Sequence, residues 1–147
     1  EKTLSGQTGM SVKQCESLLD AYWKRNWAVK KVAAEQYIKT LSDGSMWLKN
    51  PVSGFYYSLR NEKDIFSTLN QGTGVFVFDS WVMRMLRKGV VPNLQYHDEV
   101  LVSVPKGTEQ EVEHKLKEAM EEVNKSLKLN VNIEVDVQVG KSYADVH

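Results

Sequence analysis

The sequence predicts an α+β fold in which a small antiparallel sheet is covered by amphipathic helices. Three observations predict it. Apolar residues recur at helical spacing in several stretches, for example at positions 12, 15, 18, 19 and 22 and again at 112, 116, 119, 123 and 127. Short aromatic runs are punctuated by turn formers, and residues 131–139 alternate strictly between apolar and polar, as in a strand wet on one face. Finally, a length of 147 residues with 41% hydrophobic and 26% charged side chains is ordinary for one globular body.

Each element follows in order. Ser11 is a helix N-cap, and Val12, Cys15, Leu18, Leu19 and Tyr22 form one helical face. A break falls near Asn26. A second helix then runs from about Trp27 to Leu41, with Val29, Val32, Ala33 and Tyr37 inward, and stops at the Asp43-Gly44 turn. Residues 46–48 and 55–59 read as strands of a hairpin turning through Asn50, Pro51 and Gly54. Asn61, followed by Glu62 and Asp64, starts a long helix that continues to Leu86. Its Gly72 and Gly74 each cost about 1 kcal/mol against Ala, which calls for close approach by another backbone or a ligand. Residues 94–96 and 100–104 read as two strands meeting at His97, Asp98 and Glu99. An amphipathic helix follows Pro105 to Thr108, and the strand at 131–139 closes the fold.

Composition excludes several functions. One cysteine, Cys15, permits no intrachain disulfide and no cysteine-rich zinc site, which suits a reducing cytoplasm. No apolar run reaches the 18 residues of a membrane helix. The opening Glu-Lys-Thr is neither an initiator Met nor a signal peptide, so the chain reads as a piece of something longer. Nineteen basic and nineteen acidic residues cancel, so no overall basic field coats nucleic acid indiscriminately. The charge is nevertheless graded: residues 1–60 carry +4, residues 61–95 +1 and residues 96–147 −5. A polyanion is drawn to the first part and repelled by the last, to an extent that salt screens.

The chemically distinctive segment runs from Asn93 to Pro105. A histidine and two carboxylates sit at the tip of a hairpin with apolar flanks, an arrangement that holds hard cations such as Mg²⁺ through one or two carboxylates, waters and substrate phosphates. A solvated acidic turn is the competing reading, since acidic residues favour turns for their own reasons.

The order of motifs weighs on that choice. A helix containing Leu69-Asn70-Gln71-Gly72-Thr73-Gly74 is followed by an apolar strand, His97-Asp98-Glu99, a second apolar strand, an amphipathic helix and a closing strand. The tail is Val139-Gly140-Lys141-Ser142-Tyr143-Ala144-Asp145-Val146-His147. This order resembles the C-terminal part of the A-family DNA polymerases of bacterial or bacteriophage type, over essentially the whole chain. The segment from Thr3 to Tyr22 is similar to the stretch after that family's nucleotide-binding helix, where the fingers return to the palm.

The resemblance implies residues 1–45 as a helical segment leading from fingers to palm and residues 46–147 as the C-terminal part of the palm. Asp98 matches the second catalytic aspartate, a metal ligand, and Glu99 the adjacent carboxylate. His97 matches the histidine beside the primer end. Gln71 matches the glutamine that meets the primer-template duplex from the minor groove, where acceptor atoms are nearly the same for every base pair. Arg60 and Lys63 are placed for DNA contact. The implied partners are primer-template DNA, deoxynucleoside triphosphates and Mg²⁺. An N-terminal chain or region completes the set, because the family's first aspartate and the Lys and Tyr of its nucleotide-binding helix lie upstream of Glu1. One departure is Ser67, which stands where the family commonly has asparagine, four residues before Gln71.

Other residues are weighed in the same way. Tyr22, Trp23, Lys24, Arg25, Trp27, Lys30 and Lys31 mix aromatic and basic groups able to stack on bases and grip phosphates. Packing of Tyr22 and Trp27 between two helices accounts for the aromatics more simply. His114 reads as surface, and Phe78, Trp81 and Met83 as core. Competing functions are a single-subunit RNA polymerase, disfavoured by Glu99 after the His-Asp pair, a non-catalytic nucleic-acid-binding module of the same fold, and a metal-dependent phosphoesterase using His97, Asp98 and Glu99 alone.

Overall fold

The computed structural model describes residues 2–146. It is a mixed α+β structure with five α-helices and small antiparallel sheets, one of three strands and one of two. The chain divides into two compact units, one extending to Asn70 and the other beginning at Gln71.

The first unit opens with helices α1 (Lys2–Thr8), α2 (Val12–Arg25) and α3 (Trp27–Ala34). Helix α2 starts on a capping box: the Ser11 hydroxyl oxygen accepts from the Gln14 N–H at 3.3 Å, and the Gln14 side-chain oxygen accepts from the Ser11 N–H at 3.0 Å. It stops at Asn26, whose backbone N–H and side-chain amide both donate to the Tyr22 carbonyl, at 2.8 and 2.9 Å.

Helix α3 ends earlier than its apolar spacing suggests. The Gln36 amide donates to the Val32 carbonyl, and residues expected to extend the helix instead form strand β1 (Ile38–Thr40). The β-branched Ile38 and Thr40 pair with strand β2 (Met46–Lys49), with Ile38 opposite Leu48 and Thr40 opposite Met46. Between them, the Asp43 carboxylate accepts from the Ser45 hydroxyl at 2.7 Å and the Ser45 N–H at 2.9 Å, which holds its pKa below the usual value.

Strand β2 pairs in turn with strand β3 (Tyr56–Leu59). Their connection is organised by Asn50, which is fully buried: its side-chain oxygen accepts from the N–H groups of Val52 and Ser53, and its own N–H donates to the Phe55 carbonyl. Asn61 then caps a short 3-10 turn (Glu62–Asp64) by accepting from the Lys63 N–H, and helix α4 (Ile65–Arg87) follows. Leu48, Leu59, Ile65 and Leu69 form this unit's core, with Ala33, Ile38 and Met46 against it.

The unit boundary falls within α4. In the second unit the core comprises Val77, Trp81, Val82, Met85 and Val90 together with Leu116, Ala119, Met120 and Val123 of helix α5 (Glu109–Leu127). The Trp81 indole N–H donates to the Leu116 carbonyl at 3.0 Å, fixing one helix against the other. At the rim, the Lys88 ammonium lies 2.7 Å from Glu122 and 2.9 Å from Glu118. Strands β4 (Leu94–Tyr96) and β5 (Glu99–Leu101) form the two-stranded sheet.

Residues 131–139 depart from expectation: they pair with no strand among the described residues. Alternation supplies an amphipathic edge, but a ladder also needs a facing edge. Here the Asn124 amide takes that role at one point, donating to the Ile133 carbonyl at 2.8 Å and accepting from the Ile133 N–H at 3.0 Å. Val135 and Val137 still pack on the core, while Val131 and Val139 remain exposed.

Candidate active-site hairpin and basic aromatic corner

Strands β4 and β5 place Tyr96 opposite Glu99, which leaves His97 and Asp98 as a two-residue loop. Such tight loops need a positive φ to match strand twist, and here His97 supplies it at +52°. Glycine is the usual residue for that conformation, although histidine adopts it more readily than most side chains. The His97 ring lies edge-to-face on Tyr96, with ring centroids 4.3 Å apart. At the hairpin base, the Asn93 N–H donates to the Leu101 carbonyl and the Asn93 side-chain oxygen accepts from the Ser103 N–H, clamping the two strands.

This architecture presents the Asp98 carboxylate to solvent on a short, tied tip and leaves Glu99, the first residue of β5, half-buried beside it. Among the described residues, no group of three or more His, Cys, Asp or Glu side chains could hold a metal ion. Within the hairpin, Asp98 and Glu99 are the two carboxylates. Two hard oxygen donors next to each other in the chain fit Mg²⁺, which takes one or two carboxylates and fills its remaining positions with water and phosphate oxygens.

Gln71 is exposed on α4, in the same unit as the hairpin. Gly74, three residues on and also exposed, borders open space: a Cβ added there would meet nothing within 4 Å. Close approach by this chain's own backbone, one of the two explanations the sequence offered, is not the reason for glycine at 74. Arg60 and Lys63 are exposed in the first unit and form no ion pair among the described residues. Ser67 is turned to local use, its hydroxyl donating to the Asp64 carbonyl at 3.1 Å.

The second candidate lies on α2 and α3 and corrects an expectation. Tyr22 and Trp27 do not pack between helices: they are 51% and 60% exposed. The Lys30 ammonium sits 4.7 Å from the centre of the Trp23 ring and that of Lys31 5.8 Å from Trp27, both within cation–π range. Helical spacing alone could not separate this surface from a core face, because both show the same period. The distinguishing signal was the lysines interleaved with the aromatics. No helix among the described residues is long and apolar enough to cross a membrane.

No curated protein and no solved structure gives a significant match to this sequence. One family model does, that of DNA polymerase family A, and it covers residues 1–145. With its α+β architecture and its acidic hairpin between two short strands, the chain belongs to DNA polymerase family A.

Proposed function

We propose that this chain is a C-terminal polymerase segment that supplies the Asp98 side of a two-metal site for DNA-directed DNA synthesis. The observation that carries the reading is the family match over residues 1–145, within which Asp98 stands at the tip of a two-residue hairpin. In this proposal Asp98 holds Mg²⁺ and Glu99 adjusts its surroundings. Bound there, the metal supplies charge neutralisation for the phosphates and for the attacking and leaving oxygens. The chain's own residues position the reactants. His97, with its ring fixed on Tyr96, lies by the primer end, Gln71 meets the duplex from the minor groove, and Arg60 and Lys63 contact its phosphates. Residues 1–45 lead from the fingers and 46–147 form part of the palm.

In this proposal a further carboxylate completes the site from a region outside this sequence, as the family resemblance implies. The isolated chain is then inactive and acts with a partner region that also brings the nucleotide-binding Lys and Tyr.

The test is Asp98→Ala in the polymerase assembled with that region, read by single-turnover primer extension, duplex affinity and melting temperature. Loss of electrostatic help confined to the transition state costs roughly 2.7–4 kcal/mol, a hundredfold to thousandfold in rate. An exposed tip residue should change stability by no more than about 0.5 kcal/mol. Extension within a few fold of the parent would refute the catalytic role. A large fall in melting temperature would make the residue structural, and primer extension by the isolated chain would refute the need for a partner.

A further inference from the structure

The α2–α3 corner carries chemistry that the proposed hairpin site does not use. Between Asp20 and Glu35 the chain has four cations, Lys24, Arg25, Lys30 and Lys31, and no acidic residue. Glu35 reaches back to Lys31 at 3.8 Å, an exposed pair that a competing phosphate can replace. Tyr22 and Trp23 meet edge-to-face at 5.0 Å, so their rings are braced rather than free to rotate. Beside them, Leu18, Ala21, Tyr22, Arg25 and Asn26 line a shallow groove of about 480 Å³. A mainly apolar lining that includes Arg25 suits a flat, unpaired base and its phosphate.

We propose that this corner binds single-stranded nucleic acid. Bases stack on Trp27 and in the groove against Tyr22, while phosphates lie along Lys24, Arg25 and Lys30. Three features fit this ligand, and the exposed ring separates it from other polyanions. A heavily exposed tryptophan contributes a stacking face but little to the fold, each of the two Trp rings has a lysine within about 6 Å of its centre, and the net charge of the corner is opposite to that of the strand. Duplex DNA offers no exposed base faces to such a surface, so the preference is for unpaired strands.

The experiment is fluorescence anisotropy of labelled oligothymidylate with the 147-residue chain, which needs neither metal ion nor catalysis and can fail without touching the role of Asp98. Trp27→Ala should weaken binding about tenfold, and Trp27→Phe, which keeps a ring, should restore most of it. Lys30→Ala should lower the steepness of the salt dependence by about 0.7 in the logarithmic slope, as expected for one phosphate contact to a single strand. Two further substrates separate the sources of the strand. Weakening by Trp27→Ala on a primer-template with a long template overhang assigns the site to the unpaired template, and weakening only on a displaced flap assigns it to the displaced strand. The proposal is overturned if the parent does not bind oligothymidylate, if Trp27→Ala binds as well as the parent, or if polyglutamate, a polyanion without bases, competes as strongly as the oligonucleotide.

Discussion

Two tryptophans mark how differently the two units use apolar side chains. In the second unit, Trp81 is 5% exposed, its ring edge-to-face with Phe78 and its N–H bonded across to α5. In the first unit, Trp27 is 60% exposed, with a lysine over its ring. Both occupy helices with apolar periodicity, and both look like core candidates by spacing. What differs is the supply of partners. Helix α5 brings Leu116, Ala119, Met120 and Val123 to Trp81, whereas the core of the first unit gathers at its sheet and leaves most of α2 and α3 uncovered. An apolar stripe is thus a condition for burial and not a guarantee of it. Where the stripe stays exposed and is laced with cations, an interaction surface is the better account.

The sharpest way to break this contrast is to truncate both rings. Trp81→Ala should destabilise the protein by about 3–5 kcal/mol, the combined cost of lost transfer energy, an unfilled cavity and the lost hydrogen bond to the Leu116 carbonyl. Trp27→Ala should stay within about 0.5 kcal/mol, the ordinary range for a surface change. Urea unfolding of the two variants checks both values. Similar losses would mean that Trp27 is structural and that the two units do not differ as described.

Legibility in the sequence followed the same divide. Interactions encoded locally were readable: the Ser11 cap, the break at Asn26, the Asp43-Gly44 turn, the β2–β3 hairpin, the Asn61 start and the buried face of α5. Long-range choices were not. Strand β1 arises because β2 has an open edge, which overrides the helical spacing of residues 35–41. Residues 131–139 keep their alternation but find no strand. The candidate hairpin was visible as a pair of carboxylates between apolar runs, yet its two-residue loop was not, since His97 is an unusual choice for positive φ. The roles given to Asp98, Gln71 and His97 came from family resemblance, because a lone acidic turn does not specify its chemistry.

The second unit's extended tail offers a finer probe. Asn124→Ala removes both side-chain bonds to Ile133 and leaves partly buried backbone groups to find other partners, so it should cost about 2 kcal/mol. Urea unfolding gives the magnitude, and hydrogen exchange at Ile133 should lose protection in step. Retained protection at Ile133 would show that packing of Val135 and Val137 holds this segment and that the amide is incidental.

The smallest effect concerns charge at the rim of the second core. Hydrogen bonds from Lys88 to Glu122 and Glu118 raise the Lys88 pKa above 10.5, and the bond to Lys88 lowers that of Glu118 below 4.5. The signs then set a window. A raised lysine stabilises the fold fully below its unfolded value, and the gain disappears as pH rises through the folded pKa above 10.5. A lowered glutamate stabilises above its unfolded value, and its gain disappears as pH falls through the folded pKa below 4.5. Lys88→Met keeps much of the side chain's length and removes the charge, so its melting temperature should lie slightly below the parent's across the plateau between those limits. The difference should shrink at either end and also on adding salt, because these groups border solvent. Thermal unfolding of both proteins across that range, in low and high salt, measures it. A gap that is constant with pH and indifferent to salt would assign the contribution of Lys88 to the packing of its methylene stem instead of its charge.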